Sequence, residues 1–237
     1  VTTRIVLVHG TMDRSSSFAK LRPHLGGFEV VAYDRRGYGH ARHLAAASLD
    51  DHIGDLLEQI GDQPAVVVGH SLGGNLALAA ATIRPDLVRS VGAWEAPLAW
   101  LPWWPEGSAG TRAVAEGLAP ADAGELFMRG VAGDDVWERL PEATRQARRE
   151  EGAAMLIDVR GVRAGPPFVA DAVRVPVVAG CGGDSKPYHR KSAEWLAGNL
   201  ADAELFEIAG ARHGAHASHP AEFAAFVRRT VDRANAR

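Results

Sequence analysis

The sequence predicts an α/β protein: a mostly parallel sheet of about six strands with helices on both faces and a helical insertion. Three observations predict it. Short apolar, β-branched runs recur along the chain, as strands buried on both faces do. Helical patterns fall between them, and strands alternating with helices imply right-handed crossovers in a parallel sheet. One long stretch in the middle of the chain, from about Pro97 to Asp171, has helical character and no convincing strand.

Taken in order, the expected strands are Ile5–Val8, Glu29–Ala32, Ala65–Val68, Val91–Trp94, Val175–Ala179 and Glu204–Ile208. Ser48-Leu49-Asp50-Asp51 reads as a helix start, after which Ile53, Leu56, Leu57 and Ile60 share a face. Leu72–Ile83 is Ala-rich and apolar nearly all round, as a buried helix would be, and stops before Arg84-Pro85. Ala193–Leu200 and Glu222–Val231 read as two further helices. The Trp/Pro-rich "APLAWLPWWP" opens the insertion. The expected organisation is a core of residues 1–96 and 172–237, with residues 97–171 folded over one end of the sheet as a cap.

Composition narrows the function. At 237 residues and 46% hydrophobic, the chain can bury a sizeable core. A net charge of -3 leaves no footprint for nucleic acid, and no apolar run is long enough to span a membrane. Neither is an expected partner; a small-molecule substrate is. A single cysteine, Cys181, permits no internal disulfide, which suits a cytoplasmic location. The chain runs from Val1-Thr2-Thr3-Arg4 straight into an apolar strand, so no signal peptide is expected.

"GARHGAHASHP" holds His213, His216 and His219 and raises the question of a metal site. Helical zinc motifs place histidines at i and i+4 on one face. Here Gly210, Gly214 and Pro220 interrupt any continuous helix, so no metal is expected.

"VVVGHSLGGNLALAAA" contains Gly69-His70-Ser71-Leu72-Gly73, a match to G-x-S-x-G. It follows an apolar strand and opens a helix, the setting of a nucleophile elbow. A serine on that tight turn projects at the strand end beside a helix N-terminus, where developing negative charge is favoured. The flanking glycines are needed because a side chain there would strike neighbouring backbone.

On these residues the chain resembles the α/β-hydrolase superfamily, in its serine-nucleophile branch with a short helical cap. The landmarks fall in order: "LVHGTMDRSSSF", "YDRRGYGHAR", "GHSLGG", "CGGDSKP" and "GARHGAHASHP". The resemblance implies Ser71 as nucleophile, Asp184 as acid and His213 as base, in the chain order this fold uses. It also implies oxyanion donors from the backbone of Leu72 and Thr11, or of Met12 if the loop is shifted. Glu95, after the fourth strand, is the alternative acid, or a buried group near the pocket. His216 and His219 are then expected at the rim or surface, His9 as a residue that hydrogen-bonds its loop, and His70 as pointing away from Ser71.

The cluster Trp94, Trp100, Trp103 and Trp104 supplies candidate pocket residues, Trp94 and Trp100 foremost, with cap-to-core packing as the alternative. Asp34-Arg35-Arg36 and the run Arg145–Glu151 read as solvated or structural. The expected activity is hydrolysis of a carboxylic ester, lactone or thioester through an acyl-enzyme, without cofactor. Two alternatives use the same fold: non-hydrolytic proton chemistry (cyclisation, C–C cleavage or cofactor-free oxygenation), and a ligand-binding receptor that retains the triad.

Overall fold

The computed structural model describes residues 2–45, 48–115 and 117–236. Its strands are β1 (Arg4–Val8), β2 (Glu29–Ala32), β3 (Ala65–His70), β4 (Val88–Trp94), β5 (Val177–Gly182) and β6 (Ala203–Ile208). They form one sheet in the order β2-β1-β3-β4-β5-β6, and every pairing is parallel.

The helices of the core follow from sequence chemistry. Helix α1 (Leu49–Ile60) begins with a capping box in which Ser48 and Asp51 satisfy each other's backbone donors. Helix α2 (Leu72–Ile83) is buried along almost its whole length. The stretch between β4 and β5 carries α3 (Ala109–Ala115), α4 (Pro120–Ala132), α5 (Asp134–Arg139), α6 (Glu142–Glu150) and α7 (Gly152–Ala164). Among the described residues of that stretch there is no strand. Helix α8 (Pro187–Asn199) precedes β6, and α9 (Ala215–Ser218) and α10 (Pro220–Asn235) close the chain.

Strand alternation divides the core into two layers. Val6, Val8, Val67, Val91 and Ala179 pack against α1, α2 and α8 on one face. Ile5, Leu7, Val66, Val68 and Val178 pack against α10 and the short turns around Phe18 and Leu25 on the other. A third, smaller cluster joins the insertion to the core, with Ala123, Met155 and Leu156 meeting Met12 and Tyr38.

Register then decides where chemistry can occur. Val8 pairs with Gly69, Gly69 with Ala93, and Ala93 with Ala179, so the carboxyl ends of β1, β3, β4 and β5 are level. The loops beyond those ends converge, which is where open α/β sheets bind ligands.

Candidate active site

Ser71 sits between β3 and α2 with φ 54° and ψ -125°, a region that a residue with a side chain rarely occupies. Its N–H donates to the Trp94 carbonyl at 2.8 Å and its own carbonyl accepts from Gly74 N–H at 2.8 Å. The turn needs both flanking glycines. A Cβ on Gly69 would lie 2.1 Å from the Gly73 carbonyl, and one on Gly73 would lie 2.2 Å from the Val8 carbonyl oxygen.

The next strand end supplies a carboxylate. Glu95 directly follows β4 with φ 46°, and its N–H donates to the Gly180 carbonyl at 2.9 Å. Its side chain is fully buried and Oε2 lies 2.7 Å from His213 Nδ1. The second oxygen, Oε1, accepts from Gly182 N–H at 2.8 Å and from the Ser185 hydroxyl. Burial pushes the Glu95 pKa up, but the hydrogen bond and charge of His213, with His189 and Ser185, more than offset it and bring it to about 2. The His213 ring is lowered from its ordinary value by burial, with the Glu95 hydrogen bond opposing.

In this arrangement the candidate base meets the alternative carboxylate, Glu95, and not the expected Asp184. Asp184 lies in the turn beyond β5, exposed to solvent, and its N–H donates to the Ala211 carbonyl at 2.9 Å. The "CGGDS" loop meets the carboxylate–imidazole pair through Gly182 and Ser185, which hold Glu95, while His213 faces Glu95 and not Asp184. The physical reason is position. Glu95 lies one residue past a central strand with its backbone turned by a positive φ, whereas Asp184 lies two residues past β5, exposed among the residues that line the pocket.

Ser71, Leu72, Thr11 and His213 line one pocket of about 410 Å³. Apolar groups dominate the lining, among them Pro97, Trp104, Phe127 and Val159. Leu72 is the first residue of α2, so its N–H has no acceptor within the helix. Thr11 is fixed from the cap side: its hydroxyl donates to Asp158 Oδ2 at 2.9 Å.

Trp94 and Trp100 are corrected as pocket residues. Alternation along β4 turns Trp94 onto the α10 face, where it is fully buried against Phe223 and Phe226. Its indole N–H donates to the His213 carbonyl at 3.1 Å, supporting the loop from beneath. Trp100 packs edge-on against Phe168 with ring centroids 5.8 Å apart. The tryptophan that does line the pocket is Trp104.

The three histidines of "GARHGAHASHP" part company. His213 joins Glu95. His219 lies 2.9 Å from the Ser218 hydroxyl. His216, expected at the rim, is instead buried beside His70, with ring centroids 4.4 Å apart. His9 holds its loop: Arg35 N–H donates to Nε2 at 2.9 Å and Nδ1 lies 2.8 Å from the Gly10 carbonyl. Burial, then Arg35, lower its pKa to about 4, so the ring is neutral at pH 7.

Two groups escaped the sequence reading. Asp158 on α7 is wholly buried and receives Arg35 at 2.8 and 3.3 Å and the Tyr38 hydroxyl at 2.6 Å. His189, on α8, stacks on His213 with centroids 4.4 Å and planes 19° apart. Nothing local in the sequence marks either residue; each becomes visible only through its partner in space.

Among the described residues two groups of side chains could hold a metal ion: Glu95, His189 and His213, and Asp13, His70 and His216. In the first, the 2.7 Å spacing of Glu95 and His213 is that of a shared proton.

A sheet of six parallel strands, a strained serine between strand and helix, and a buried carboxylate against a histidine at the level strand ends define a known class of fold. The chain belongs to the alpha/beta hydrolase family, which matches residues 5–226. It is similar to lipase LipV of Mycobacterium tuberculosis, 34% identical over 91 residues that cover 37% of this chain and 35% of LipV. It is also similar to the mouse (Mus musculus) sn-1-specific diacylglycerol lipase ABHD11, 37% identical over 90 residues that cover 35% of this chain and 29% of that enzyme. The match thus spans about a third of these curated relatives. The crystal structure of the enol-lactonase from Burkholderia xenovorans superposes with a TM-score of 0.71 at 23% identity, covering 98% of this chain and 92% of that one. No helix among the described residues is long and apolar enough to cross a membrane.

Proposed function

We propose that the protein is a serine hydrolase that cleaves a carboxylic ester, lactone or thioester of an apolar acyl group through an acyl-enzyme. The observation that carries this reading is the 2.7 Å contact of the buried Glu95 with His213, which lines the same pocket as Ser71. Glu95 replaces Asp184 as the acid. His213 takes the proton of the Ser71 hydroxyl as the oxygen attacks the substrate carbonyl, and Glu95 stabilises the imidazolium that forms. The oxyanion is held by the Leu72 N–H and by Thr11 or Met12. The same proton passes to the leaving alcohol or thiol. Water then attacks the acyl-enzyme, with His213 acting first as base and then as acid toward Ser71.

The apolar lining suits an acyl chain. The lipase and lactonase names of its relatives describe ester cleavage and agree with this class. Intact mass after fluorophosphonate treatment, beside a panel of esters, lactones and thioesters, tests the reading. One adduct, on Ser71, with turnover of at least one class is expected. No adduct, or activity kept in Ser71→Ala, overturns it in favour of proton chemistry in which the serine takes no covalent part.

A further inference from the structure

Behind the catalytic loop, Asp13, His70 and His216 form a second cluster in which three donor atoms lie within 4.8 Å of one another. Asp13 Oδ2 is 3.4 Å from His70 Nδ1 and 3.7 Å from His216 Nε2. Both histidines are more than nine-tenths buried.

The tautomer of His70 makes the cluster chemically unbalanced. Its Nε2 lies 3.1 Å from the His213 carbonyl oxygen, which can only accept, so Nε2 carries the hydrogen. In the neutral ring Nδ1 then presents a lone pair toward a carboxylate, and that buried nitrogen has no hydrogen-bond partner. Two electron-pair donors facing each other call for a cation between them. A proton would draw oxygen and nitrogen to about 2.7–2.9 Å. Donors about 2.0–2.2 Å from a tetrahedral zinc stand about 3.3–3.6 Å apart, close to the two separations found.

We propose that Asp13 Oδ2, His70 Nδ1 and His216 Nε2 bind one divalent cation of the zinc class. Two imidazoles and a carboxylate suit zinc and its neighbours, in preference to calcium or magnesium. Two of the three ligands are held in place. The His70 N–H is spent on a backbone carbonyl, the usual support of a ligating histidine. Asp13 is oriented by Arg14 N–H at 2.8 Å on Oδ1 and by the Ser17 hydroxyl at 3.1 Å on Oδ2. Asp13 retains a fifth of its side-chain exposure, which gives the ion a way in. Bound there, the ion ties the loop of Thr11, the residue before Ser71 and the helix after His213 to one point. It stiffens the frame of the site and takes no part in the reaction.

The test reads metal binding and is independent of the hydrolase assignment. The full chain, stripped with a chelator and dialysed, is titrated with Zn2+ by calorimetry and with Co2+ by visible absorption. One equivalent should bind, with the intense Co2+ bands of a four-coordinate site and a higher Tm. Asp13→Asn and His216→Gln should each weaken binding at least about tenfold, while His189→Gln, in the other cluster, leaves it unchanged. If those variants fail to fold, imidazole nitrogen spectra of the wild type decide: Zn2+ should shift His70 and His216 and spare His189 and His213. Absence of saturable binding, retention in both ligand variants, or shifts at His189 and His213 instead would overturn the proposal.

Discussion

Glu95 Oε2 and His213 Nδ1 stand 2.7 Å apart, joining the end of β4 to the loop after β6 across the sheet. If this carboxylate orients the base, Glu95→Gln should depress kcat by about 10⁴, because the amide favours the wrong imidazole tautomer. Asp184→Asn, on the exposed turn, should leave kcat within a few-fold. Steady-state kinetics of the two variants on one ester give the ranking, and the reverse order returns the role to Asp184.

A base must be neutral to accept the serine proton. Burial lowers the His213 pKa from its ordinary 6.5, so kcat/KM should rise through a single ionisation below that value and stay flat toward neutrality. A rate profile over the acid range checks this. His213→Gln should remove both the step and the activity; an acid limb centred above 6.5 would contradict the burial argument.

The Glu95 carboxyl has a folded pKa of about 2 against an ordinary 4.5. A depressed carboxylate stabilises the fold above its unfolded pKa, and that contribution is lost as pH falls through the folded one. Stability should therefore decline from about pH 4.5 toward 2. In Glu95→Gln the decline should be shallower. Urea midpoints at several acid pH values provide the measurement, and identical slopes in the two proteins would contradict it.

Asp158 neutralises the buried Arg35. Asp158→Asn leaves that guanidinium without its charge partner, and breaking a buried pair from one side costs about 3–5 kcal/mol. For a chain of this size the Tm should fall by roughly ten degrees. A shift of only a degree or two in thermal denaturation would show that water reaches Arg35.

The strands along the chain and the elbow are legible in the sequence because both are local. Apolar runs mark buried strands, and Gly69 and Gly73 mark a turn that backbone crowding demands. His213 is legible in the loop after β6. Its carboxylate partner is not, because the pairing with Glu95 in place of Asp184 depends on the positive φ at Glu95. Trp94 was misassigned because aromatic character does not say which face of β4 a side chain takes. Asp158 is silent in sequence: its partners Thr11, Arg35 and Tyr38 lie more than a hundred positions away. His216 was placed at the rim because its burial depends on Phe18 and Phe223, which reach it from either side.

The buried clasp of Arg35 and Asp158 also bears on how the chain unfolds. One charge sits on the loop after β2 and the other on a helix of the insertion, and neither is tolerable in a dry interior without its partner. An intermediate with the cap released and the sheet intact would strand the arginine; one with the cap docked on a disordered sheet would strand the aspartate. Cap and sheet are thereby bound into one cooperative unit. Calorimetry should record a single transition, with matching calorimetric and van't Hoff enthalpies.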